Sequence, residues 1–163
     1  MNPAGIRYLY TAFDRLTAMR EVGVNRSTTD PVYVASFTLT RPLRVVDLTK
    51  PVRLPSVFDL AQKDRLERAL FHYGFVREVS KRVVKDELEH LSYVPTQVVC
   101  EYLAQVFTTK DGERLDGLIY PSSVHKRGRN LVVFPSQEGL NEVFHGTTFN
   151  GASRRRIKRP VPA

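Results

Sequence analysis

The stretch "RYLYTAFDRLTAMREVG", residues 7 to 23, carries the first group able to do chemistry, the carboxyl of Glu21. Asp14 reads as the N-cap of a short helix and Gly23 as the residue past its end. Glu21 then falls in the last turn, where the helix dipole disfavours a negative charge by roughly a few tenths of a kcal/mol. At 100° per residue, Leu16, Met19 and Val22 cluster on the side expected to face the core, and Glu21 lies nearly opposite. Its i−3 and i−4 neighbours, Ala18 and Thr17, are small, so a bulky group can approach the carboxylate closely. Two readings stand at this point: a solvated surface glutamate with Arg20 as counter-charge, or a carboxylate kept at some cost to its helix because it faces a ligand.

A second group lies far along the chain. "DGLIYPSS", residues 116 to 123, reads as a turn at Asp116 and Gly117, a short apolar strand, then Pro121, Ser122 and Ser123. It leads into "VHKRGRNLVVF", a loop with His125, Lys126, Arg127 and Arg129 before another strand. Hydroxyls just past a strand end beside a basic loop suit an anionic ligand. The same serines also serve as caps of the turn, and the loop as solvated surface. The four histidines, His72, His90, His125 and His145, are scattered and lack metal-ligand spacing.

The elements that position these groups are legible as runs and periods. Strand-like runs cover residues 8–10, 32–39, 43–48, 118–120 and 131–134, rich in branched or aromatic residues and bounded by Pro, Asp or Gly. "TAFDRLTAMREVG" reads as the first helix. "SVFDLAQKDRLERALFHYG" reads as a second, with Ser56 and Asp59 near capping-box spacing and Gly74 as its end. Leu66, Leu70, Phe71 and Phe75 on it read as core in preference to a partner surface. "VPTQVVCEYLAQVF" reads as a third, with Pro95 in its first turn and Val98, Val99, Tyr102, Leu103 and Val106 at helical spacing. "EVFHGTTF" reads as a final edge strand. Helices only partly alternate with strands, so the fold class is α+β.

The chain of 163 residues is long enough for one domain with a sizeable core, and 42% hydrophobic against 26% charged residues marks it as globular and not disordered. No window approaches ~18 consecutive apolar residues, and no basic segment followed by an apolar run opens the sequence. The lone Cys100 permits no internal disulfide, which points to the cytoplasm. The net charge is +8, but "RRRIKRP" near the C-terminus contributes +5 of it, leaving +3 for the body. Residues 151–163 are therefore read as a basic, disordered tail, and nucleic acid is expected to interact, if at all, through that tail.

Four segments in order resemble the RES domain family, bacterial toxins of the type II kind that consume NAD. "NPAGIRYLYTAFDRLTAMREV" is similar to the family's opening Pro-Ala-Gly turn, tyrosine-ended strand and helix. "SYVPTQVVCEYL" resembles its Pro-Thr-Gln helix, and "LDGLIYPSS" and "GRNLVVF" its Asp-Gly-Ile-x-Tyr-x-Ser and Asn-hydrophobic-Phe segments. The resemblance implies a RES-like domain over residues 1–150, with a small mixed β-sheet cleft and flanking helices related to ADP-ribosyltransferases. It places Glu21, Tyr10 and Ser122 on the family's active-site glutamate, tyrosine and serine. Ser123 is the adjacent candidate, and Asn130 falls on a further polar position. Arg127 and Arg129 are expected to help bind the anionic substrate. The family pattern also has an arginine just before the Pro-Ala-Gly turn, a position that would precede Met1, so the expectation is a piece of a longer protein.

What the resemblance implies chemically is cleavage of the nicotinamide–ribose bond of NAD, with inorganic phosphate or water as acceptor and with no cofactor or metal. It also implies a small antitoxin as partner; the absence of a long apolar window, and not the resemblance, is what argues against a membrane. The competing expectations are an ADP-ribosyltransferase acting on a macromolecule and a RES-like binding module without catalysis.

Overall fold

The computed structural model describes residues 6–25, 27–29, 32–81 and 94–135. The branched and aromatic runs near the two ends of this range pair into one sheet, because each buries alternate side chains on a common face. Its strands are β1 (Leu9–Ala12), β2 (Val45–Asp47), β3 (Gly117–Pro121) and β4 (Arg129–Val133). They lie in the order β1-β4-β3-β2, with β4 antiparallel to β1 and β3, and β2 parallel to β3. Helix α1 (Arg15–Glu21) follows β1, while α2 (Lys63–Ser80) and α3 (Val94–Glu101) lie between β2 and β3. The described chain is thus α+β, a small mixed sheet with helices. Among the described residues no helix is long and apolar enough to cross a membrane.

The core forms on one face of this sheet. Leu118 of β3 and Val132 of β4 are register partners and fully buried, flanked by Tyr8 and Phe134, whose rings stand 5.3 Å apart. Phe75 and Val79 of α2 and Cys100 of α3 close over them. Burial pushes the Cys100 thiol up to about 11, and burial with the nearby Cys100 and Glu101 pushes the Tyr8 phenol up to about 12, so both groups are neutral. The opposite face holds a smaller cluster of Val133 with Leu9, Leu43 and Leu131.

Several elements differ from the sequence reading. Residues 32–39 carry no regular strand among the described residues, so the branched run there reports propensity that is not realised as a strand. Helix α2 does not stop at Gly74 but runs on to Ser80, because Phe75 and Val79, buried against the sheet, outweigh the cost of an internal glycine. Asp59 caps a 3-10 turn (Leu60–Gln62) ahead of it, its side chain accepting from the Ala61 N–H. Of the four apolar residues assigned to the core on α2, Phe75 is buried and Leu66 half-buried, but Leu70 and Phe71 are exposed.

In the third helix Thr96 and Cys100 are buried among the described side chains, whereas Val98, Tyr102 and Val106 are exposed. A π turn over Tyr102–Val106 rotates the later residues away from the stripe that a continuous 3.6-residue period would give. The run "EVFHGTTF" and the basic tail lie outside the described residues.

The two glycines of opposite environment make a matched test. A Cβ on Gly117 would press into the backbone carbonyl of Val132, which the β3–β4 ladder holds in place, whereas a Cβ on Gly74 meets nothing within 4 Å. Gly117→Ala is expected to lose about 1–3 kcal/mol and Gly74→Ala to gain about 0.5–1 kcal/mol, read as opposite shifts of the denaturant midpoint.

Candidate active site

Cross-strand register assembles the site at one end of the core face. Asn130 of β4 pairs with Ala12 on one side and Tyr120 on the other, and in the next row Val132 pairs with Tyr10 and Leu118. Side chains two apart share a face, so Tyr10, Asn130 and Tyr120 continue the surface whose inner part is core. The chain turns at Phe13 and Asp14 into α1, which lays Glu21 over this end of the sheet. The Asn130 amide donates from Nδ2 to Glu21 Oε1 at 2.6 Å. Asn130 is only 3% exposed, so a buried donor fixes one oxygen of a carboxylate that is otherwise open to solvent. Tyr120 is held protonated well above the ordinary phenol range, first by burial, then by the Glu21 charge and by Tyr10, with a hydrogen bond from Asn130 acting in the opposite sense.

The β3–β4 ladder extends one rung past the strands, through the Ser122 N–H donating to Gly128 O at 2.9 Å. By the same alternation Ser122 shares the face of Tyr120 and Asn130. Its hydroxyl oxygen accepts from the N–H groups of Val124 and His125, at 3.2 and 3.0 Å. Both bonds use the oxygen as acceptor, so its O–H can still donate.

The loop so folded rests on α1 through Thr17, which is fully buried. Thr17 Oγ1 donates to Asp14 Oδ2 at 2.6 Å and lies 2.6 Å from His125 Nδ1. One hydroxyl carries one proton, and the Asp14 carboxylate takes it, so His125 Nδ1 is the protonated nitrogen donating to Thr17. Gly128 completes the seat: a Cβ there would stand 2.6 Å from Thr17 Oγ1 and 3.0 Å from the His125 ring.

A protein-family model described as RES domain matches residues 1–150, nearly the whole chain. The chain belongs to the RES domain family. It is thereby a toxin-like, NAD-related domain, of a family typically found as part of a toxin–antitoxin pair. No curated protein and no solved structure matches it.

Within this RES domain the sequence-predicted residues separate into two groups. Glu21, Tyr10, Asn130 and Ser122 come together on one sheet face. Ser123, one residue on, is exposed in the loop. Arg129 is the neighbour of Asn130 and points to the other face, its guanidinium 4.5 Å over the Phe13 ring. Arg127 is exposed at the loop tip, with a left-handed φ of 71°.

The helix that carries Glu21 is turned differently from its apolar pattern. Leu16 and Val22 are exposed, Met19 is half-buried and Thr17 is the buried residue. Thr17 and Glu21, four residues apart, share the docked face, and their polar bonds to His125 and Asn130 orient the helix. Tyr120 and Thr17 are the residues that sequence reasoning passed over. Tyr120 stands two before Ser122 on a period-two strand and Thr17 four before Glu21 on the helix, so both spacings were present to be used.

Thr17→Val keeps the shape but strands the Asp14 and His125 groups, and is expected to cost about 1–3 kcal/mol in thermal or denaturant unfolding. The Asp14 carboxyl is held below its ordinary range, chiefly by the Thr17 hydroxyl, then by the Thr17 N–H, with attraction from His125. A depressed folded value stabilises the native state above the unfolded carboxyl's pKa of about 3.9, and this is lost as pH falls through the folded value. Asp14→Asn is therefore expected to lower stability at neutral pH and leave it nearly unchanged below the folded pKa, which flattens the acid limb of the stability–pH curve.

Proposed function

We propose that this RES domain cleaves the nicotinamide–ribose bond of NAD, with inorganic phosphate or water as acceptor, in an ADP-ribosyltransferase-like cleft. The observation that supports this reading most directly is the Glu21 carboxylate. One oxygen is held by a buried amide and the other is open, beside two tyrosines at the end of a rigid core face.

In the reaction the C1′–N bond breaks with its electron pair passing to the pyridinium nitrogen, so nicotinamide leaves neutral and needs no general acid. The ribose acquires oxocarbenium character. Glu21 stabilises that developing positive charge and orients a ribose hydroxyl, the electrostatic effect that usually dominates such sites. Tyr10 packs against the nicotinamide or its ribose and restricts water. Ser122 donates to a ribose or phosphate oxygen, and Arg127 draws in the anion. A phosphate oxygen then bonds to that same anomeric carbon, numbered C1″ in the product, giving ADP-ribose-1″-phosphate. Water in its place gives ADP-ribose and a proton. A cognate antitoxin is the partner that restrains the activity.

Glu21→Gln retains an acceptor for the Asn130 amide, so the fold is expected to persist while turnover falls roughly 10²–10³-fold. The check is NAD incubated with each protein, with and without phosphate, and products identified by mass spectrometry. Nicotinamide release dependent on phosphate assigns a phosphorylase, and release in both buffers a glycohydrolase. Undiminished turnover by Glu21→Gln removes the assignment of the site.

A further inference from the structure

We infer that Asn130 is a two-sided clamp: its amide nitrogen holds Glu21, and its carbonyl oxygen accepts a hydrogen bond from a neutral donor of the bound dinucleotide. The inference rests on NAD being the ligand and specifies how part of it is read.

The Asn130 side chain has two donor hydrogens and an oxygen with two lone pairs. The donor side is accounted for: Nδ2 bonds Glu21 Oε1 at 2.6 Å and faces Tyr120. The acceptor side is not. Oδ1 is buried, with no hydrogen-bond partner among the described residues, in a residue 3% exposed. Buried polar atoms are rarely left so, because the lost hydration is not recovered. Reversing the amide does not relieve it. Oδ1 would then face an ionised carboxylate, two acceptors in contact, so the orientation that leaves the buried oxygen unpaired is the one the chemistry selects.

The position of this oxygen narrows what fills it. Asn130 lies in the row between Ala12 and Tyr120, beside the carboxylate assigned to the reacting ribose. The group taken there must be a donor, which excludes the diphosphate oxygens and the ribose ring oxygen of the ligand. Near the scissile bond NAD offers two donors of this kind, the hydroxyls of the nicotinamide ribose and the N–H of the carboxamide. Either gives Asn130 a role in specificity, since a site that presents a buried acceptor penalises ligands without the matching donor. The residue binds substrate on one side and positions Glu21 on the other.

The test measures equilibrium binding by calorimetry on the Glu21→Gln protein, which slows turnover and preserves an acceptor for Asn130 Nδ2. The ligands are NAD, its 2′-deoxy and 3′-deoxy forms on the nicotinamide ribose, and the acetylpyridine analogue, whose ketone lacks the carboxamide N–H. One of these is expected to bind roughly tenfold or more weakly than NAD. Loss with a deoxy form names the hydroxyl, and loss with the acetylpyridine form names the carboxamide. In Glu21→Gln/Asn130→Ala the same comparison is expected to shrink severalfold, the remainder being the contacts of residue 21 and Ser122 with the ribose, with NAD itself weakened. Because this discrimination is also read with Asn130 in place, the test does not depend on the double variant folding well. NAD binding with no discrimination against any analogue, or discrimination undiminished in a folded double variant, overturns the clamp while leaving the proposed reaction standing. Absence of NAD binding to the unsubstituted protein overturns both.

Discussion

A buried amide bonded to an open carboxylate is the contact on which the site depends. Asn130 sits in the central strand pair, held by backbone ladders on both sides, and so cannot drift. Through one 2.6 Å bond it fixes the only acidic residue of α1, a helix of seven residues in which Leu16 is exposed and no apolar side chain is fully buried. Without that bond the helix would have only Thr17 and its own cap to set its rotation, and a short helix has little stability of its own.

The second tie reinforces the first at a different point. Asp14, Thr17 and His125 link the start of α1 to the loop between β3 and β4, so helix and loop form one unit. Ser122 folds that loop by accepting two backbone N–H groups, while its own N–H extends the hairpin ladder. The serine's contribution to local structure and its place on the site face are thus compatible, because the structural bonds occupy its oxygen and leave its proton.

Continuity between core and site explains the electrostatics. Tyr120 belongs to the partly buried shell of the same cluster that contains Leu118 and Val132, and its phenol lies near the Glu21 charge. Low hydration raises its pKa, and the adjacent carboxylate adds to this, so the hydroxyl stays protonated beside an anion. Arg129 sits across the sheet on Phe13. Positive charge close in sequence to Asn130 is therefore kept from neutralising Glu21 directly.

The sequence by itself determined the α+β class, the extent of α1 between Asp14 and Gly23, the β3–loop–β4 segment and the family, because capping chemistry, period-two runs and ordered motifs act over a few residues. Through the resemblance it also named Glu21, Tyr10, Ser122 and Asn130 as candidates. Its errors share one cause: whether an apolar stripe is buried depends on what lies opposite it. Leu16 and Val22 have helical spacing yet are exposed, Gly74 looks like a stop yet lies inside a helix, and the 32–39 run is not a strand among the described residues. Only the tertiary structure decided that Thr17 faces inward, that Arg129 and Asn130 part to opposite faces, and that Tyr120 joins Glu21. Register across strands brings together residues more than a hundred positions apart, and local pattern carries no record of that pairing.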